Sequence, residues 1–254
     1  MTDPSPPEAH PPVVLIHGVG LDRTMWAPVA TLLSVDRRVS TYDMIGHGDA
    51  PKPSGPYSLE MYVDQLAEVV ASITASRPVD VVGFSMGALV AQGFAIAHPD
   101  RVRRLALLNS VFDRTEDERA AIVERVTDVR NGGFAATINA ALARWFTPTF
   151  AAEHPDVIHA VRRVLEANDN EAYANAYEVF ATADGPLVEQ TSSIGCDTLV
   201  ITGAGDQRST PLMTRRLAKT VQTGEAVVLP LLRHLAPLED PTSVAELLRS
   251  FFNR

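Results

Sequence analysis

The chain has 254 residues, 46% of them hydrophobic, 21% charged and 6% aromatic, with a mean hydropathy near zero. That balance excludes a disordered or fibrous chain, and the length supports one large domain or two smaller ones, burying roughly 70 to 75% of the unfolded surface. Thirty-one Asp and Glu against 22 Lys and Arg give a formal net charge of -9, which opposes phosphate backbones and anionic membranes, so neither nucleic acid nor a membrane is expected as a partner. The single cysteine, Cys196, can form no intramolecular disulfide and no metal-holding thiolate cluster, and it fits a reduced, cytoplasmic setting.

Residues 1–12 carry five prolines and no apolar run, so they read as a flexible tail rather than a signal peptide. No stretch of eighteen apolar residues follows anywhere, which argues against a transmembrane helix. Short Val, Ile and Leu runs then recur at 13–16, 38–42, 79–82, 104–108, 198–202 and 226–229. Strands that are apolar on both faces suggest a parallel sheet covered on both sides. Between them, Leu59, Tyr62, Val63, Leu66, Val69, Val70 and Ile73 fall on one stripe of a helix begun by Ser58. A last helix starts at Asp240 and Pro241 and carries Val244, Leu247, Leu248, Phe251 and Phe252. Alternating strands and helices predict an α/β fold with a mostly parallel sheet.

One interval breaks the rhythm. Residues 109–197 span 89 positions, whereas a crossover between parallel strands needs about a dozen. Its helical patterning, interrupted at Asn131-Gly132-Gly133, Thr147-Pro148, His154-Pro155 and Asp184-Gly185-Pro186, predicts a cap of about four helices over the sheet's C-terminal edge. The expected organisation is a core of 13–110 and 186–254 with the cap, 111–185, inserted into a single domain.

The chemistry concentrates at Gly83-Phe84-Ser85-Met86-Gly87, directly after one predicted strand and before a helix-compatible run. A sharp strand-to-helix turn presents the serine on a strained backbone and requires small residues two positions to either side. The helix N-terminus behind it favours developing negative charge. A serine hydroxyl needs a base, and the base needs a carboxylate to orient it. Of seven histidines, His234 alone follows the last predicted strand in a loop at the right sheet edge. His10 lies in the tail, His98 ends a helix, and His154 and His159 fall in the cap. Asp206, just past the strand at 198–202, is the candidate acid, with the capping of a helix near Pro211 as the competing role. Asp197 lies at the opposite end of that strand, and Glu239 and Asp240 are explained by a helix start. Backbone donors for an oxyanion are expected at Met86 and, from the glycine-rich loop His17-Gly18-Val19-Gly20, at Val19. His17 and His47 read as structural.

The segments Leu15-Ile16-His17-Gly18-Val19-Gly20-Leu21-Asp22 with Trp26, Asp43-Met44-Ile45-Gly46-His47-Gly48, Gly83 to Gly87, Gly205-Asp206 and Arg233-His234 stand in the order of the α/β-hydrolase family. The chain resembles that family from Pro12 to Phe252. It departs at Asp49-Ala50, where a serine is usual two residues after Gly48, in a supporting loop. Together with Ala143-Arg144-Trp145-Phe146-Thr147, the pattern is most similar to 3-oxoadipate enol-lactonases and related small carboxylesterases. The resemblance implies a Ser85, Asp206, His234 triad acting on an ester or lactone. It also implies Arg144 as a clamp for a substrate carboxylate and Trp145 as an apolar wall, against which stands a solvated Arg144 and a Trp145 packed with Phe146 in the cap core. Tyr173, Tyr177 and Phe180 share helical spacing and read as packing, and Cys196 as a small buried residue.

No cofactor and no metal is expected. A small-molecule ester or lactone is the expected partner, and a homo-oligomer stays open. Ser85 argues against haloalkane dehalogenases and epoxide hydrolases, which need aspartate there. Carbon-carbon bond hydrolases of ring-cleavage products share the Ser, Asp and His set and form the alternative, and a non-catalytic small-molecule receptor on the same fold is the non-enzyme reading.

Overall fold

All six apolar runs form strands of a single sheet in the computed structural model, which describes residues 10–130 and 134–254. The strands are β1 (Val13–Ile16), β2 (Val39–Tyr42), β3 (Val79–Phe84), β4 (Val102–Leu108), β5 (Asp197–Gly203) and β6 (Gly224–Leu229). Their order is β2-β1-β3-β4-β5-β6, and every neighbouring pair is parallel. The central strands β1 and β3 are buried at every position, while edge strand β2 is half-buried throughout and β6 begins exposed. This gradient is what a sheet covered on both faces produces.

The helices are α1 (Ala27–Leu33), α2 (Leu59–Ile73), α3 (Met86–Ala97), α4 (Glu116–Asp128), α5 (Phe134–Trp145), α6 (Pro148–Glu153), α7 (Pro155–Glu166), α8 (Asn170–Thr182), α9 (Asp184–Gln190), α10 (Pro211–Thr220), α11 (Ala236–Glu239) and α12 (Pro241–Phe252). Local signals start several of them. The Ser58 hydroxyl accepts from the Met61 N–H and α2 buries Tyr62, Val63, Leu66 and Val70. The Asp240 carboxylate accepts from the Ser243 N–H, Pro241 takes the first helical position, and α12 buries Val244, Leu248, Phe251 and Phe252. Around the sheet, α3 packs on β3 and α2, α1 packs on α12, and α10 packs on β5 and β6.

Three expectations shift. Among the described residues the segment between β4 and β5 holds six α-helices, α4 to α9, rather than about four. The two X-Pro breaks around α6 create separate short helices there, and α9 straddles the expected boundary at 185 because Asp184-Gly185-Pro186 opens a helix as readily as it ends one. The tail is pinned earlier than expected at its end, since the Asp80 N–H donates to the Pro12 carbonyl at 2.9 Å; residues 1–9 of that tail, and the break at Asn131-Gly132-Gly133, lie outside the described residues. Cys196 is half-buried, and burial raises its thiol pKa.

Candidate active site

Ser85 sits where β3 ends and α3 begins, with φ 53° and ψ -114°. A non-glycine residue in this region is strained, and such strain persists only when the surroundings enforce it. The enforcement is visible at the flanking glycines. A Cβ on Gly83 would stand 2.2 Å from the Gly87 carbonyl oxygen, and one on Gly87 would stand 2.4 Å from the His17 carbonyl oxygen. The turn therefore admits only glycine at both places. The Ser85 N–H is tied to the Leu108 carbonyl at 2.8 Å, its hydroxyl does not cap α3, and the residue lines a cavity above the sheet's C-terminal edge. Met86, fully buried, is the first residue of α3, so its N–H has no intrahelical acceptor. Val19 lines the same cavity.

His234 and Asp206 reach this cavity from the loops after β6 and β5. His234 Nδ1 lies 2.6 Å from Asp206 Oδ2 in a buried contact, leaving Nε2 as the other ring nitrogen. Among the hydrogen bonds of the described residues none joins Ser85 Oγ to the imidazole, and the two line one cavity; such bonds often tighten only when substrate binds. The imidazole is in ring contact with Phe84 at 5.0 Å and stacked on Trp145 at 5.9 Å between centroids.

Every lone pair of Asp206 is used. Oδ1 accepts from the Arg208 and Ser209 N–H groups, each at 3.0 Å, and Oδ2 accepts from Asn109 Nδ2 at 2.8 Å as well as meeting His234. Burial pushes the carboxyl pKa up, but the His234 charge and these hydrogen bonds outweigh it and hold Asp206 below the usual carboxylate range. The competing capping role falls away, because Thr210 caps α10.

Two contributors have roles the sequence reading does not assign, and Glu239 ends α11 rather than starting a helix. Asn109, at φ 50° directly after β4, spans the gap to Asp206; asparagine is one of the few residues that adopts this backbone cheaply. Glu239 accepts from the Thr147 N–H at 2.7 Å through Oε1 and the Arg233 N–H at 3.0 Å through Oε2. It thereby clips the His234 loop to the insertion beside Trp145. Arg233 adds a second clip through Nη1 to the Ala143 and Phe146 carbonyls at 2.7 and 2.9 Å.

The insertion supplies the cavity's other wall. Arg144 and Trp145, at the end of α5, both line it, whereas Phe146 is buried and stacks on Phe150 at 5.5 Å. Tyr173 and Phe180 are buried in the core and Tyr177 packs against it, as the packing reading expects, and all three also line the cavity. One stripe of α8 does both jobs: its Tyr173 ring would meet a Cβ on Gly20 at 2.7 Å, and the same face closes the space over Ser85.

His17 and His47 are structural. His17 Nε2 accepts from the Met44 N–H at 2.9 Å, which places the proton on Nδ1 facing the Gly18 carbonyl at 2.8 Å. Burial lowers its pKa to about 4, and lowers that of His47, with the nearby His17 charge adding to the effect, to about 3. Among the described residues no cluster of three His, Cys, Asp or Glu side chains could hold a metal, and no helix is long and apolar enough to cross a membrane.

A model of the alpha/beta hydrolase family matches residues 13–247. The chain belongs to the alpha/beta hydrolase family. Among curated relatives it is similar to (E)-2-((N-methylformamido)methylene)succinate hydrolase of Acinetobacter baylyi, 33% identical over 94% of this chain and 89% of that one. It is also similar to 3-oxoadipate enol-lactonase 2 of the same organism, 27% identical over 96% and 89%. Among solved structures, the enol-lactonase from Burkholderia xenovorans LB400 superposes with a TM-score of 0.87 at 30% identity, covering 96% of this chain and 92% of that one. The hydrolase class and the enol-lactonase-like resemblance expected from the motifs are thus supported across nearly the whole chain.

Proposed function

We propose that this hydrolase cleaves a carboxylic ester or lactone through an acyl-enzyme on Ser85. The reading rests above all on one coincidence: a serine held at φ 53° by two obligatory glycines shares a cavity with an imidazole that is buried against a fully hydrogen-bonded aspartate. His234 Nε2 takes the Ser85 Oγ proton as the oxygen attacks the carbonyl carbon, and Asp206 holds the Nδ1–H and stabilises the imidazolium. The carbonyl oxygen becomes an oxyanion held by the Met86 and Val19 N–H groups. Collapse of the tetrahedral species expels the alcohol or enol oxygen, which takes the proton from Nε2. Water, deprotonated by the same nitrogen, then attacks the acyl carbon and releases the acid and Ser85. Trp145 forms an apolar wall beside the imidazole, and Arg144 holds a substrate carboxylate, a choice favoured by relatives named for a substituted succinate and for 3-oxoadipate enol-lactone.

Initial rates on p-nitrophenyl esters, simple lactones and a carboxylate-bearing enol-lactone test the reading. Ser85→Ala, with the fold intact by circular dichroism, is expected to lose at least about a thousandfold in kcat/KM. Unchanged turnover by that variant would contradict it. A dienoate ring-fission product assayed in parallel separates the carbon-carbon alternative: cleavage of that compound in preference to every ester would move the assignment there.

A further inference from the structure

Four arginines line the cavity over Ser85, and they differ in one respect. Arg114 is neutralised: its Nη2 donates to Asp184 Oδ1 at 2.5 Å and to the Phe180 carbonyl at 2.7 Å. Arg125 from α4, Arg144 from α5 and Arg208 from the loop after β5 also line the cavity, yet none has an ion-pair partner among the described residues. Arg125 spends only Nε, on the Ala121 carbonyl of its own helix turn at 3.2 Å. Arg144 Nε is buried without any partner. The two acids lining the same space are committed elsewhere, Glu118 to the Thr115 N–H at 2.8 Å and Asp206 to His234 and Asn109.

Three guanidinium groups on one cavity lining, with neither Glu118 nor Asp206 within ion-pair distance of any of them, stand out in a protein of net charge -9. The Arg144 pKa is lowered by burial first and then by the Arg125 and Arg208 charges, which registers the mutual repulsion. Arginine matches carboxylate geometry bidentately, and a single carboxylate would engage only part of the three unpaired guanidinium groups.

We propose that Arg125 and Arg208 form a second anion subsite beside Arg144, so that the preferred substrate carries two carboxylates in addition to the acyl group cleaved. This rests on the ester or lactone reading above for its catalytic side, and the binding side stands apart from it. Arg208 is one residue from the Ser209 amide and two from Asp206, both in the turn that fixes the triad acid. A carboxylate seated on Arg208 therefore lies near the reacting end of the cavity, with Arg125 reaching it from the α4 wall.

Two measurements test this. p-Nitrophenyl esters with no, one and two free carboxylates, the last made from tricarballylic acid, are compared by kcat/KM in wild type and in the Arg125→Gln, Arg208→Gln double variant. The ratio of the two-carboxylate to the neutral ester is expected to exceed about tenfold in wild type and to fall at least about tenfold in the double variant, the loss appearing in KM; each charge-assisted hydrogen bond lost is enough for such a factor. An equal ratio in both proteins would overturn the subsite. Calorimetric titration with free tricarballylate, which needs no turnover, is expected to show binding weakened at least about tenfold by the same pair of substitutions. No binding to wild type, or equal binding by both, would overturn the proposal even if the esters are cleaved; binding lost in the variant while no ester is cleaved would uphold the subsite and remove the esterase reading.

Discussion

The two ends of the sheet treat arginine in opposite ways. At the N-terminal end of β3, Asp80 is fully buried and meets Arg103 Nε at 2.8 Å and Nη2 at 2.6 Å, with fully buried Arg37 Nη1 at 3.3 Å. Arg37 also reaches Asn253 at 2.6 Å, and Arg103 and Arg104 donate to the Phe252 carbonyl at the end of α12. Five residues further along the chain, roughly 16 Å at a strand's rise, Ser85 opens a cavity where Arg125, Arg144 and Arg208 have no acid within ion-pair distance among the described residues. Buried charges that serve the fold bring their counterions with them, because an unpaired one costs several kcal/mol. Charges left without partners beside a strained serine fit a ligand instead.

The sharpest way to break this contrast is at the paired end. Asp80→Asn removes the fully buried carboxylate shared by Arg37 and Arg103, leaving Arg37 only the half-buried Asp36 at 3.1 Å, and is expected to destabilise the protein by about 3 kcal/mol in urea unfolding, while ester turnover per folded molecule stays near wild type. A change below about 1 kcal/mol would show that the network is not a structural clasp.

Acid tests the next layer of buried charge. His17 and His47 have folded pKa values lowered by burial to about 4 and about 3, against 6.5 for an ordinary histidine. Between those limits the unfolded chain binds more protons than the folded one, so stability is complete above pH 6.5 and is lost as the pH falls toward 4. Each buried histidine contributes up to about 1.4 kcal/mol per pH unit in that window. The slope of the unfolding free energy between pH 6 and 4.5, measured in urea, is expected to drop by about that amount in His47→Asn, whose side chain can still donate to the Ile45 carbonyl that His47 Nδ1 faces at 3.1 Å. An unaltered slope would mean that His47 is charged in the folded protein.

The smallest expected effect lies at the unpaired end. Replacing Arg125 and Arg208 with glutamine removes like charges that face each other and breaks no ion pair, so stability in the absence of ligand should stay within about 0.5 kcal/mol of wild type or rise. A loss comparable to that of Asp80→Asn would place these arginines with the structural ones.

How much of this is visible in the sequence follows the range of the forces involved. The turn at Ser85 is legible because its constraint is local: Gly83 and Gly87 are needed by neighbouring backbone, and they sit within two residues. His234 and Asp206 are legible from their positions after strands, since parallel strands deliver their C-terminal loops to one edge. Asn109 and Glu239 are not, because their roles depend on partners 97 and 92 positions away whose approach no pattern encodes. The α8 stripe shows the same limit, for spacing gives the face of a helix but not what lies across from it. Arg125 and Arg208 vanish into an acidic composition, and only their shared cavity sets them apart.

Labelling with a fluorophosphonate, followed by intact-mass and peptide mapping of the folded protein, tests the central claim most directly. The account predicts one adduct per chain, located on Ser85, forming far more slowly when His234 is replaced by alanine. Folded protein that takes up no label, or that takes it up at a residue other than Ser85, would contradict it.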